Sequence, residues 1–111
     1  MKLTPRTEGD VLILALEGRF VLGEGETLVS ETIRRALEGG ARKILLNFEK
    51  VTTLDSAGLG ELVGTLATVK KHGARLRLCE LNSRIYNLMQ MTALHTVFDL
   101  AEREAEALAA Y

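Results

Sequence analysis

Ser56 is the side chain of this sequence best placed to do chemistry. It follows an acid, Asp55, and precedes a run of small residues, Ala57, Gly58 and Gly60, with Glu61 and Gly64 further on. A serine so placed can attack as a nucleophile, cap a helix, or receive a group from a visiting enzyme. The nucleophile elbow of a serine hydrolase needs glycine two residues on either side of the serine. Here Gly58 fills the downstream position but Leu54 the upstream one, and the only histidines, His72 and His95, lie outside any acid-rich setting. Hydrolysis is set aside on those grounds, and no catalytic residue is assigned. The spacing Gly58-x-Gly60-x-x-x-Gly64 is one residue too long for a dinucleotide fingerprint and lacks the Lys-Ser/Thr ending of a phosphate loop, so no cofactor is implied. One cysteine, Cys79, and two scattered histidines offer no metal-ligand spacing.

The element that must carry Ser56 is a helix. Asp55 or Ser56 can cap it, because either side-chain oxygen accepts from a free N–H of the first turn. Leu59, Leu62, Val63, Leu66 and Val69 then recur at helical spacing and predict the inward face. An interior helical glycine costs about 1 kcal/mol relative to alanine, so the glycines need a reason. At 100° per residue Ala57, Gly60, Gly64 and Ala67 form a narrow stripe without bulk, with Ser56 at its upper end. Such a stripe admits another backbone, either a neighbouring helix or a partner protein. The partner is favoured: if Asp55 does the capping, the Ser56 hydroxyl is left free beneath a surface open to a large visitor such as a kinase.

The elements around that helix follow in order. Residues 2 to 8 predict an edge strand, where Pro5 is tolerated. Val11 to Leu16 is a continuous apolar run that suits a buried strand, ended by Gly18. A loop, Gly23 to Glu26, leads into a helix with Leu28, Val29, Thr32, Ile33, Ala36 and Leu37 on one side, stopped by Gly39-Gly40. A second apolar strand covers Lys43 to Phe48, and Glu49 to Thr53 is expected as the loop into the motif helix, which ends at His72-Gly73. Arg75 to Glu80 alternates with period two and predicts a strand with one wet face. Asn82-Ser83 caps a short helix, Thr92 to Thr96 adds a turn, Val97 to Leu100 makes a last strand, and Glu102 to Ala110 a terminal helix with Leu108 turned inward. Repeated strand–helix–strand units are right-handed. The expectation is an α/β fold in a single domain, residues 1–111. Its mixed, mostly parallel sheet has four or five strands, with helices stacked mainly on one face and the other face partly wet at Arg75 and Arg77.

Composition narrows the function. The chain has 111 residues, 47% hydrophobic and 26% charged, with a net charge of −1; that is the composition of one ordinary globular domain. A near-neutral charge and 5% aromatic residues argue against nucleic acid as a partner. No segment is long enough to span a bilayer, and the start lacks a signal peptide's apolar core. A cytoplasmic protein is expected, and a single cysteine fits a reducing compartment.

On these residues the sequence resembles a STAS domain of the bacterial anti-sigma factor antagonist type. The resemblance is carried by Leu54-Asp55-Ser56-Ala57-Gly58-Leu59-Gly60 with Leu62-Val63-Gly64, supported by Lys43 to Phe48 before and Gly73 to Leu76 after. It implies that Ser56 is phosphorylated by an anti-sigma factor that is itself a serine kinase. It further implies that a PP2C-like phosphatase reverses this, and that the unphosphorylated form binds the anti-sigma factor and releases a sigma factor. Asp55, Ser56, Ala57, Gly58, Gly60, Glu61 and Gly64 would form the partner-binding surface of a protein that is not an enzyme; homodimerisation is left open. Many antagonists carry Gly-Glu-apolar-Asp after the second strand; here the run is Gly18-Arg19-Phe20-Val21, with Glu24 or Glu26 as candidate substitutes for the missing acids. The alternative implied is a STAS scaffold or regulatory module, in a stress-signalling complex or a lipid-transport ATPase, not switched by phosphorylation.

Overall fold

A computed structural model describes residues 1–111, the side chain of Glu26 excepted. Its elements are β1 (Lys2–Glu8), β2 (Val11–Phe20), α1 (Glu26–Glu38), β3 (Lys43–Leu54), α2 (Ser56–Lys71), β4 (Arg75–Cys79), α3 (Ser83–Met91), a 3₁₀ turn (Leu94–Thr96), β5 (Asp99–Ala101) and α4 (Glu104–Ala109). The strands form one sheet in the order β1-β2-β3-β4-β5. β1 runs antiparallel to β2, and every other neighbouring pair is parallel.

Because successive side chains point to opposite faces, each central strand feeds two cores. Leu14 and Leu16 of β2, Ile44 and Leu46 of β3 and Leu76 and Leu78 of β4 face one way, where Val29, Ile33 and Leu37 of α1, Leu62, Leu66 and Val69 of α2, and Ile85 and Met89 of α3 cover them. Val11, Ile13, Leu45 and Cys79 face the other way, against Ala107 of α4. Three helices thus share a face, as the crossovers demand, and the fourth crosses to the opposite side. The residue that packs there is Ala107, not the expected Leu108, which is half-buried.

The second face is drier than the alternation at β4 suggested. Arg77 is buried: its Nε donates to Asp99 Oδ2 at 2.6 Å, its Nη1 donates to the Ala107 carbonyl at 3.0 Å, and its guanidinium lies 4.6 Å from the centre of the Tyr111 ring. A buried cation is tolerated only when paired and hydrogen-bonded; Asp99 of β5 supplies the pairing and the Ala107 carbonyl of α4 a further acceptor. Arg75 stays exposed, its guanidinium 5.1 Å from the centre of the same ring.

β3 runs twelve residues, through the stretch expected to be a loop. Its second half pairs with Glu17 to Phe20 of β2, which itself continues past Gly18, across two register shifts. Asn47 to Lys50 spans three steps on β3 against two on β2, and Val51 to Thr53 two against one. Each shift is a bulge that adds one residue to β3. The bulges bring Phe48, Val51 and Leu54 to the core at a spacing of three, so the period-two signal vanishes while the strand persists. This extension matters for the site, because it ends at Leu54, paired with Phe20, and delivers Asp55 and α2 beside the end of β2.

Candidate functional site at the head of α2

Asp55 has extended backbone (φ −102°, ψ −177°) and caps α2, its Oδ1 accepting the Gly58 N–H at 2.8 Å. Its other oxygen, Oδ2, accepts the Leu22 N–H at 3.1 Å, and its own N–H donates to the Phe20 carbonyl at 3.4 Å. The Gly58 N–H first, and the Leu22 N–H second, hold the Asp55 carboxyl below the usual carboxylate range. Of the two capping alternatives, the acid therefore takes the role. Ser56, the first residue of α2, is exposed, and its hydroxyl makes no hydrogen bond to another described side chain or backbone group.

The glycines divide into two kinds. A Cβ on Gly58 would stand 2.2 Å from the Phe20 carbonyl oxygen and 2.6 Å from the Phe20 ring, so this position is empty to let α2 sit down on the end of β2. Gly58 is buried, and of the residues expected at a partner surface it is the one that faces its own chain. The Phe20 ring beneath it stacks on Phe48 with centroids 6.1 Å apart. A Cβ on Gly60 or Gly64 would meet nothing within 4 Å. Those two, with exposed Ser56 and Ala67, make an outward stripe almost bare of side chains, flanked by half-exposed Ala57 and Glu61. Gly64 and Glu61 also line a groove of about 300 Å³ between α1 and α2, with Thr65 beside them.

Two apolar side chains at this surface were not legible as such. Val63, expected inside, is 39% exposed, since its angle on the helix falls at the margin of the buried sector. Leu22 is 72% exposed on the turn after β2. Its only sequence signal is a lone leucine before Gly23, which has a left-handed φ of +78°. Nearby, the Arg19 guanidinium faces Glu24 at 3.4 Å, so Glu24 stands against the cation at the position where acids were expected; the side chain of Glu26 lies outside the described set.

Among the described residues there is no group of three or more His, Cys, Asp or Glu side chains arranged to hold a metal ion, and no helix is long and apolar enough to cross a membrane. His72 and His95 contact backbone carbonyls of Thr68 and Met89, far along the chain from Ser56.

Fold and site together define a small α/β domain that presents a strand-to-helix junction, and the comparisons agree. The model of the STAS domain matches residues 2–107, and the chain belongs to that family. The anti-sigma-B factor antagonist of Bacillus subtilis is 30% identical over 98 residues, covering 88% of this chain and 87% of the relative. Among solved structures, an anti-sigma factor antagonist from Mycobacterium paratuberculosis superposes with a TM-score of 0.85 at 16% identity, covering 98% of this chain and 92% of that one. The Bacillus cell fate determinant SpoIIAA, in its phosphorylated form, gives 0.74 at 21% identity, covering 98% of each chain. At these identities the two structures speak for the fold.

Proposed function

We propose that this chain is an anti-sigma factor antagonist that docks through the head of α2 and is switched off by phosphorylation of Ser56. The observation that supports this best is the division of labour at the helix start. Asp55 satisfies the cap, which leaves an exposed, unbonded serine hydroxyl at the end of a bare stripe. The partner is an anti-sigma factor with serine kinase activity, and a PP2C-like phosphatase restores the hydroxyl. Relatives named as antagonists of anti-sigma factors support the same assignment.

The switch works by charge and bulk. A phosphoryl group adds roughly −1.5 to −2 charges at pH 7. The helix head accepts an anion without refolding, because free N–H groups and the helix dipole face it. A partner packed against Gly60 and Gly64 meets instead a bulky dianion beside the Asp55 carboxylate. Binding is lost while the domain stays folded.

Incubation of the protein with candidate anti-sigma kinases and ATP, followed by mass spectrometric mapping, tests the reading. Transfer to Ser56 with loss of the kinase complex is expected. Transfer to another residue, or a complex indifferent to the modification, overturns it.

A further inference from the structure

A second groove lies away from Ser56. It is a groove of about 820 Å³ at the end of the sheet, and no residue of the α2 head lines it. Five consecutive residues, Phe98 to Glu102, form one wall, and Leu81 and Tyr86 stand opposite. Alternate residues of a strand point to opposite faces, so a groove touched by five in succession runs along the strand's edge. β5 is the last strand of the sheet, paired only with β4, and the pairing carries on beyond it where the Glu80 N–H donates to the Glu102 carbonyl at 3.2 Å. Since Glu102 turns its carbonyl to β4, alternation along the strand turns the main-chain groups of Asp99 and Ala101 to the outer edge. An occupant that satisfies them must offer N–H and C=O groups in alternation, as an extended peptide does.

Charge chooses the peptide. The lining contains two acids, Asp99 and Glu102, and no lysine or arginine. Asp99 is engaged by Arg77, whereas Glu102 is exposed and in no ion pair among the described residues. Leu81, Phe98 and Leu100 make the wall apolar between the charges. We propose that the open edge of β5 receives an extended segment of a partner protein, apolar at alternate residues and basic between them, as an added strand. The proposal is independent of Ser56 and describes a second docking surface.

The test uses a synthetic probe, acetyl-Lys-Val-Lys-Val-Lys-amide, titrated into the isotopically labelled full chain and followed by amide chemical shifts and hydrogen exchange. Expected are shifts confined to residues 98 to 102 and their neighbours in β4 and α3, with slower exchange at the outward amides of β5. Glu102→Lys, an exposed substitution checked for folding by circular dichroism, should weaken the probe by a factor of about two to five. A probe N-methylated along one edge should not bind. Equal binding of the methylated probe, equal binding of a glutamate-for-lysine probe, or no shift in β5 up to millimolar peptide each overturns the proposal.

Discussion

The Asp55 carboxylate holds the Leu22 N–H at 3.1 Å with one oxygen while the other caps α2. One side chain thereby locks the turn that carries an exposed leucine to the helix that carries Ser56. The surface proposed for the partner would then join two segments 33 residues apart in sequence, with Asp55 setting their relation. Its contribution depends on ionisation. Because those N–H groups lower its pKa in the folded state, the stabilisation is fully present above the unfolded value, near 3.8. It is lost as pH falls through the folded one. Asp55→Asn should lower the urea midpoint at neutral pH and flatten the decline of stability with pH below about 4. Parallel acid slopes for the two proteins would show that the carboxylate does not make this link. The Leu22 amide resonance should move in the same variant.

Ser56→Ala is expected to bind the anti-sigma kinase as the parent does and to resist modification. Ser56→Asp places a permanent charge at the proposed docking point and should bind at least tenfold more weakly, about 1.4 kcal/mol. Isothermal titration against the kinase separates these outcomes. Equal affinity of the two variants would remove charge as the basis of the switch.

The two classes of glycine give opposite predictions. Gly58→Ala drives a methyl group into the Phe20 backbone and should destabilise by about 2 kcal/mol or more, as overpacking against an immovable neighbour does. Gly60→Ala meets nothing and should stabilise by up to about 1 kcal/mol through helix propensity alone. Gly60→Leu should remain folded by circular dichroism yet abolish partner binding. If Gly60→Leu unfolds, the stripe serves the domain's own packing instead.

What the sequence disclosed and what it hid divide along physical lines. The motif helix was legible because its apolar period is long and its cap explicit. The second half of β3 was not, because two bulges shift Phe48, Val51 and Leu54 onto one face at a spacing that no strand template contains. The side taken by α4 was hidden for a different reason. Its buried contact is a single alanine, Ala107, and the second face is closed by Arg77, a cation that is buried only because Asp99 pairs with it and the Tyr111 ring lies against it. Gly58 and Gly60 were indistinguishable as letters. What separates them is the approach of Phe20, 38 residues before Gly58, a long-range contact with no local signature.

Tyr111 closes this second face, its hydroxyl donating to the Ile44 carbonyl and its ring packed against Arg77. Burial pushes its phenol up to about 12, and burial, with Glu104 and Glu80 nearby, pushes the Cys79 thiol in the same core up to about 12. Both groups are acids kept neutral by the fold, so between their unfolded values, 10.0 for the phenol and 9.0 for the thiol, and about 12 the folded state holds more protons than the unfolded one. Their contribution to stability is therefore fully present below pH 9 and declines as pH rises through that window. Tyr111→Phe should lower stability at neutral pH, through loss of the Ile44 hydrogen bond, and make the alkaline decline shallower, leaving the part due to Cys79. Denaturant midpoints measured from pH 8 to pH 11 check both effects. In the intact protein at pH 8, Cys79 should react with a thiol reagent only through opening of the fold, since the thiol is buried. Rapid labelling under native conditions would show that α4 and Tyr111 do not keep this face closed.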